Sequence, residues 1–219
     1  MLNSRCRVAI LFAMAPFAGL TAAEPVPVVV EATAAPAPSE EARDHTYFLV
    51  VNGMDPLFVG KMNCFCEAIR CAGYKNVELY MLRHGCCTEG RVCEIRRNDP
   101  GAKIVFVGYS LGGNCVSKVC KALDCRKIFV DLLVYIGSDY LKDNDFVRPK
   151  NAGRILNITA DGFIGTGGNL FFNGAVISGA SNFRINARHF GVAKQPETLG
   201  LLLDSVAELH VEKKTTPSK

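Results

Sequence analysis

Residues 104–113, which read IVFVGYSLGG, decide the fold. The first four are apolar without alternation, which is typical of a strand buried on both faces of a parallel sheet. The next five, Gly108 to Gly112, follow the pattern G-x-S-x-G, and apolar residues at helical spacing begin directly after them. The stretch therefore predicts a strand, a tight turn and a helix, with Ser110 in the turn.

The two glycines of this turn stand where a side chain would collide. A strand that passes so sharply into a helix holds the serine backbone in a strained conformation, and glycines at 108 and 112 give the neighbouring chain room. The strain points the Ser110 hydroxyl out at the carboxyl end of the sheet. The N-terminus of the following helix offers backbone N–H groups to a developing oxyanion. Ser110 is thus predicted to be a nucleophile; the alternative is a glycine-rich turn whose serine only caps the helix.

Strands and helices alternate through the rest of the chain. The other predicted strands are Tyr47–Val51, Val77–Met81, Leu132–Ile136, Arg154–Ile158 and a last, edge strand at Phe183–Asn186. The predicted helices run over Pro56–Ala72, over a segment capped by Thr88 and ending at Arg97, over Leu111–Leu123, and onward from Pro196. Repeated β-α-β units predict an α/β fold with a mostly parallel central sheet and helices on both of its faces.

The first 44 residues are expected to lie outside this domain. Residues 1–23 have two arginines, an apolar run and a small-residue end, which is the layout of a cleavable signal peptide; an uncleaved anchor is the alternative. Residues 24–44 are rich in Pro and Ala and predict a linker. The domain then spans 45–210, and 211–219 form a polar tail. We therefore expect a secreted or periplasmic protein.

The strand-GYSLGG-helix arrangement resembles the α/β-hydrolase superfamily, particularly its lipase-, esterase- and thioesterase-like members, and the resemblance extends over about residues 46–210. It implies a three-layer sandwich and a catalytic triad in the chain order Ser, acid, His. Two histidines follow Ser110. His189 stands between the last strand and the final helix, where the superfamily places its base. His210 is interpreted as a solvated cation at the end of that helix.

Two aspartates are candidates for the acid of the triad. Asp161 follows the strand 154–158, and Asp139 follows the strand 132–136. A carboxylate at either place could fix the imidazole tautomer and stabilise the imidazolium. The superfamily usually takes its acid from the strand nearer the histidine, so Asp161 is preferred and Asp139 is the alternative.

The resemblance also implies two backbone donors for the oxyanion. The N–H of Leu111 is the first. The second is expected in the loop after the first strand, where superfamily members often have His-Gly and this chain has Asn52-Gly53. The Met54 N–H is our candidate, because the backbone supplies the hydrogen bond whichever side chain precedes it.

The substrate pocket is expected to be open. The segment 137–153 is too short for a large inserted lid. The glycine-rich stretch 162–179 contains aromatic residues and is read either as an apolar flap over an acyl chain or as a loop packed on the core. Tyr109, Phe163 and Phe171 are the predicted substrate-binding residues.

The sequence has ten cysteines, one of which lies in the predicted signal segment. Nine therefore remain in the exported chain. The odd number means that at least one thiol is free or pairs between chains. A disulfide between the 64/66/71 group and the 86/87/93 group is plausible after export. The spacings are not those of a zinc site, and neither a metal nor an organic cofactor is predicted.

Composition and charge exclude several other classes of protein. The 219 residues are 49% hydrophobic and 21% charged, as in an ordinary globular domain. The net charge of +4 is too small to indicate a basic surface that binds nucleic acid. We interpret the chain as an exported serine hydrolase of a small acyl ester or thioester, and association with the cell envelope is a further expectation. The alternatives are a non-catalytic envelope-binding protein of the same fold and an acyltransferase that uses the same triad.

Overall fold

The computed structural model describes four stretches of the chain, with the backbone alone for residues 161 and 162: residues 36–54, 60–138, 147–162 and 176–211. All of them lie in one compact unit, residues 34–219. Within these stretches no helix is both long enough and apolar enough to cross a membrane.

The centre of the domain is a six-stranded sheet in the order β2-β1-β3-β4-β5-β6, with every neighbouring pair parallel. The strands are β1 Thr46–Val51, β2 Asn76–Tyr80, β3 Lys103–Tyr109, β4 Val130–Ile136, β5 Ala152–Gly162 and β6 Ser181–Arg188. The prediction of an α/β fold with a parallel sheet is confirmed, and the last strand does lie at an edge.

Five helices are present in the described stretches: α1 Glu40–Asp44, α2 Met62–Cys71, α3 Cys87–Asn98, α4 Gly112–Asp124 and α5 Pro196–Ala207. The sequence predicted α3, α4 and α5 within a few residues, whereas α2 begins at Met62 and Gly60 and Lys61 precede it outside the helix; the predicted start, Pro56, lies outside the described residues. The expectation that Thr88 caps α3 was wrong, because the cap position is Cys86. Thr88 is fully buried inside the first turn, and its hydroxyl donates to the Gly85 carbonyl at 2.6 Å.

The helix α1 lies within the stretch 24–44 that was predicted to be a linker. Ser39 caps it, with its Oγ accepting from the Ala42 N–H at 3.2 Å, and two glutamates follow in the first turn. Acidic residues at this position favour a helix because they face the positive end of its dipole. The hydroxyl of Thr46 donates to the Ala42 carbonyl at 2.7 Å, which fixes the helix to the start of β1.

The core has two halves, one on each face of the sheet. Alternate residues of β1 divide between them: Phe48 and Val50 pack with α2 and α5, whereas Leu49 and Val51 pack with α3 and α4. The central strands β3 and β4 are buried along almost their whole length. Unbroken apolar runs, rather than alternating ones, are what strands covered on both faces require.

The cysteines are all free among the described residues, so the predicted link between the 64/66/71 and 86/87/93 groups is not formed. Cys66 on α2 and Cys120 on α4 are buried and pack as small apolar side chains. Burial raises the pKa of the Cys66 thiol to about 11 and that of Cys120 to about 12. Both thiols are therefore poor sources of thiolate.

His210 was expected to be a solvated cation at the end of the last helix, and this expectation was wrong. Its Nε2 lies 3.0 Å from the Thr46 Oγ1 at the start of β1, 164 residues earlier in the chain. Burial lowers the pKa of His210 below its ordinary value, and the nearby Lys103 lowers it further. The neutral imidazole is therefore favoured in the folded protein.

Candidate active site

Ser110 lies at the turn between β3 and α4, in a left-handed backbone conformation with φ of +52°. Residues other than glycine rarely adopt this backbone conformation. When they do, the strained position is found most often at a functional site. The Ser110 N–H donates to the Ile136 carbonyl at 3.0 Å, and the Ser110 carbonyl accepts from the Gly113 N–H at 3.0 Å. The turn is thus fixed to the end of β4 and to the first turn of α4.

The glycines around Ser110 are required by close backbone contacts. A methyl group on Gly108 would lie 2.6 Å from the Gly113 Cα. One on Gly112 would overlap the Val51 carbonyl oxygen, and one on Gly113 would overlap the Ser138 hydroxyl. The steric reason given above for glycines at 108 and 112 therefore applies in the structure, and a third glycine lets the end of β4 approach.

His189 follows β6 and meets the serine. Its Nε2 lies 3.0 Å from the Ser110 Oγ, and the residue is 2% exposed. The Tyr109 ring stacks on the imidazole at a centroid distance of 5.5 Å, and the Tyr109 hydroxyl donates to the His189 carbonyl at 3.1 Å. Phe190 meets the imidazole edge-on at 5.2 Å. The structure therefore brings the predicted nucleophile and the predicted base together, with the base held in a closely packed position.

The opposite edge of the imidazole faces the end of β4. A methyl group on Gly137, which has φ of +52°, would lie 3.5 Å from the His189 Nδ1 and 3.1 Å from a Val192 methyl. Sequence reasoning did not single out Gly137, although a glycine directly after an apolar strand was a possible signal of a close approach. The acid of a triad binds at Nδ1. The structure thus shows where the carboxylate would have to come.

The two candidate acids come, in chain order, at the end of β5 and shortly after the end of β4. Asp161 is the last residue but one of β5, and the backbone register pairs the next residue, Gly162, with Arg188 beside the histidine. The side chain of Asp161 lies outside the described part of the chain. Asp139, two residues beyond Gly137, also lies outside the described residues. Asp161 therefore lies within β5, which is longer than the predicted strand 154–158, and the role of either aspartate as the acid remains a prediction.

The loop after β1 lies directly against the serine. A methyl group on Gly53 would be 2.7 Å from the Ser110 Cβ and 3.1 Å from the Leu111 nitrogen. Within the described residues, neither the Leu111 N–H nor the Met54 N–H donates to a backbone acceptor. Gly53, the residue before Met54, therefore lies beside the Leu111 nitrogen, and both oxyanion donors remain predictions.

Asn52 stands where related folds often have histidine. It is 2% exposed, and its backbone N–H donates to the Tyr80 carbonyl at 2.8 Å. Its Oδ1 has no hydrogen-bond partner in the described part of the chain. The side chain of Asn52 is therefore buried, while the backbone of Gly53 makes the close contact with the turn at Ser110.

Of the three predicted substrate-binding residues, Tyr109 lies in the described part of the chain. Tyr109 is only 1% exposed and packs under the histidine, so it supports the base instead of lining a pocket. Phe163 and Phe171 lie outside the described residues. Met54 is 71% exposed at the mouth of the site. No cluster of three or more His, Cys, Asp or Glu that could hold a metal occurs among the residues described.

Comparisons with known proteins identify the fold. No protein-family model and no curated protein sequence matches this chain. Among solved structures, it is similar to the esterase domain of a Rhodothermus marinus protein, with a TM-score of 0.50, 14% identity and coverage of 76% of this chain and 86% of that one. It is also similar to a putative cell surface hydrolase from Lactobacillus plantarum, with a TM-score of 0.50, 10% identity and coverage of 80% and 94%.

The similarity to these two structures extends over most of each chain at very low sequence identity. The chain therefore has an α/β-hydrolase-like fold, as its motif predicted. A likeness at this level defines the fold, and the activity has to be argued from the site itself.

Proposed function

We propose that this protein is a serine hydrolase that cleaves a carboxylic ester or thioester through an acyl-enzyme on Ser110. The observation that carries the proposal is the 3.0 Å contact between the His189 Nε2 and the Ser110 Oγ at a strained strand-to-helix turn. A serine hydroxyl is a weak nucleophile unless a base accepts its proton. The proposal is consistent with the fold, which many hydrolases share.

The reaction begins when His189 accepts the hydroxyl proton and the Ser110 Oγ bonds to the acyl carbon. The carbonyl oxygen gains a negative charge, which the N–H groups of Leu111 and Met54 stabilise. When the tetrahedral intermediate collapses, the bond to the leaving oxygen or sulfur breaks. The imidazolium of His189 returns its proton to that alcohol or thiol.

Water completes the cycle. His189 accepts a proton from a water molecule, whose oxygen attacks the acyl carbon of the acyl-enzyme. The second intermediate collapses, the carboxylic acid leaves, and the proton on His189 returns to the Ser110 oxygen. Every proton in these steps passes through His189. The chemistry proposed here therefore needs a single base and no cofactor.

The carboxylate that orients His189 is proposed to be Asp161. It belongs to the strand paired with the one that ends beside the histidine. Asp139 is the alternative, because it follows Gly137, and Gly137 lies at the Nδ1 edge of the imidazole. In either case the carboxylate keeps the proton on Nδ1, so that Nε2 faces the serine as an acceptor.

Export is a separate proposal, which rests on the sequence layout of residues 1–23. Expression of the whole chain in a bacterium with a periplasm, followed by intact mass measurement, tests it. Cleavage before Glu24 and recovery outside the cytoplasm are expected. A full-length product that stays with the membrane would show that the segment is kept as an anchor.

The hydrolase proposal is tested by the hydrolysis of 4-nitrophenyl esters of increasing acyl length. We expect saturable hydrolysis by the wild-type protein and a loss of more than about 10⁴-fold in Ser110→Ala. Ser205→Ala, in α5, is the matched control and should keep full activity. Equal rates in the wild type and Ser110→Ala would reject the nucleophile. Product analysis in the presence of added alcohols distinguishes hydrolysis from acyl transfer.

A further inference from the structure

A groove of about 470 Å³ lies between α2 and the start of α5, on the face of the sheet that holds Phe48 and Val50. One side is formed by one face of α2 and the residue before it, with Lys61, Phe65 and Ala68 at helical spacing. The other side is formed by the 3₁₀ turn Val192–Lys194 and the first residues of α5. Its size is within the range of sites that enclose small organic ligands.

The floor of the groove is apolar. Phe65 and Ala193 are buried, while Ala68 and Leu199 are half-buried at its base. An extended hydrocarbon chain laid along this floor would cover the exposed parts of Ala68 and Leu199. Removal of apolar surface from water is the main source of affinity for such a ligand.

The rim of the groove is cationic. Lys61 stands on one side and Lys194 on the other, both exposed, and no aspartate or glutamate lines the cavity. In the part of the chain that the structure describes, neither ammonium group has a carboxylate within ion-pair distance. Lys75, by contrast, lies 3.0 Å from the Asp44 carboxylate. The two lysines therefore offer positive charge to a ligand.

The groove adjoins the candidate active site. Lys194 ends the 3₁₀ turn that begins three residues after His189, and Val192 of the same turn packs at Gly137 beside the imidazole. On the other side, Lys61 precedes α2, which follows the loop that carries the Met54 N–H. One side of the groove is thus formed by the turn that packs beside the imidazole of His189.

We propose that this groove binds a medium-chain carboxylate, with the hydrocarbon chain on the apolar floor and the carboxylate between Lys61 and Lys194. The identity of the ligand rests on the proposed function, because hydrolysis of an acyl ester releases such an acid beside the groove. Charge complementarity favours the released anion over the neutral ester. The enzyme is therefore expected to retain its acid product and to be inhibited by it.

The test measures the binding of decanoate to the full Ser110→Ala chain by isothermal titration calorimetry at low salt. Lys61→Met/Lys194→Met on the same background is expected to lower the affinity about tenfold. The control Lys118→Met/Lys121→Met removes two exposed charges from α4 and should bind decanoate unchanged. Equal affinity in the two double variants would overturn the proposal.

Two further ligands and one further variant test the separate contributions of the carboxylate and of the apolar floor. Decanol has the same chain without the charge, and its binding should be weaker and insensitive to the lysines. Decyl phosphate that binds much more tightly than decanoate would overturn the carboxylate assignment. Ala68→Met fills the floor and should weaken both decanoate and decanol, while thermal unfolding checks that each variant folds.

The outcome is separable from that of the proposed function, because binding is measured without catalysis. Decanoate binding that depends on the lysines would stand even if Ser110 proved unreactive. A reactive Ser110 combined with lysine-independent binding would reject the groove alone.

Discussion

The hydroxyl of Tyr109 donates to the backbone carbonyl of His189 at 3.1 Å, across 80 positions of the chain. Tyr109 directly precedes the candidate nucleophile, and its ring also stacks on the imidazole. One side chain of the turn at Ser110 therefore binds the segment that carries His189. This link between β3 and the segment after β6 accompanies the 3.0 Å contact between the His189 Nε2 and the Ser110 Oγ.

Tyr109→Phe should weaken that link without removing the stacked ring. A buried carbonyl would lose its donor, which costs about 1–3 kcal/mol of unfolding free energy. We expect kcat for a short ester to fall while KM changes little, because the base loses part of its positioning. Denaturant unfolding and steady-state kinetics measure the two effects. Tyr80→Phe, at the edge strand β2, is the control, and an unchanged kcat in Tyr109→Phe would contradict the role given to the hydroxyl.

Gly53→Ala should disrupt the site by steric overlap. Its methyl group would lie 2.7 Å from the Ser110 Cβ and 2.8 Å from the Tyr109 carbonyl oxygen, so the loop or the turn must move. We expect a loss of about 1–3 kcal/mol in stability and the loss of most ester hydrolysis. An active, fully stable Gly53→Ala would show that the loop does not contact the turn as described.

The matched control for that variant is Gly90→Ala in α3, where an added methyl meets no atom within 4 Å. Alanine is a better helix former than glycine, so this variant should gain about 0.5–1 kcal/mol. Its hydrolysis rate should equal that of the wild type. Urea unfolding of the two variants measures whether each substitution raises or lowers the unfolding free energy. Destabilisation by Gly90→Ala would contradict the position of α3.

The two candidate acids are distinguished by Asp161→Asn and Asp139→Asn. An amide in place of the triad carboxylate favours the wrong imidazole tautomer, and a loss of about 10⁴-fold in kcat is expected for Asp161→Asn. Asp139→Asn should keep most of the activity. The reverse pattern would assign the acid to Asp139, at the end of β4. Measurement of kcat, with circular dichroism as a check on folding, decides between them.

The stability of the domain should depend on the protonation of His210. Burial lowers its pKa below 6.5 in the folded protein, so the unfolded chain binds the proton more readily. The contribution of the neutral imidazole is fully present above pH 6.5 and is lost as the pH falls through the folded pKa. The unfolding free energy of the wild type should therefore fall relative to that of His210→Gln between about pH 7.5 and pH 5.5. A difference independent of pH would contradict the burial of this imidazole.

His45 should show the opposite trend. Its hydrogen bond to Asp99 raises its pKa above 6.5, so the folded protein binds the proton more readily. The stabilisation is present below pH 6.5 and is lost as the pH rises through the folded pKa. The advantage of the wild type over His45→Gln should thus shrink from about pH 5.5 to pH 8 in urea titrations. A stability advantage of the wild type that grows with pH would contradict the hydrogen bond between His45 and Asp99.

The sequence was sufficient for the fold and for the two central residues because their signals are local. An unbroken apolar strand followed by G-x-S-x-G defines β3, the turn and α4, and chain order then leaves few histidines to serve as the base. The edge strand β6 and the helix α5 were predicted from apolar spacing and an initial proline in the same way.

What the sequence did not predict depends on contacts between distant segments. The environment of His210 is set by Thr46, which no local pattern connects to it. Tyr109 was predicted to bind the substrate, whereas its hydroxyl donates to the carbonyl of His189, 80 positions away. The groove between α2 and α5 likewise requires Lys61 and Lys194 to be brought together by the fold.

The most direct test of an activated Ser110 is labelling of the purified protein with a fluorescent fluorophosphonate, beside Ser110→Ala and His189→Ala. The reagent reacts only with a serine whose proton a neighbouring base accepts. We predict strong labelling of the wild type and none of either variant, with folding of all three verified by circular dichroism. A folded wild-type protein that does not label, or a Ser110→Ala variant that labels equally, would contradict the account.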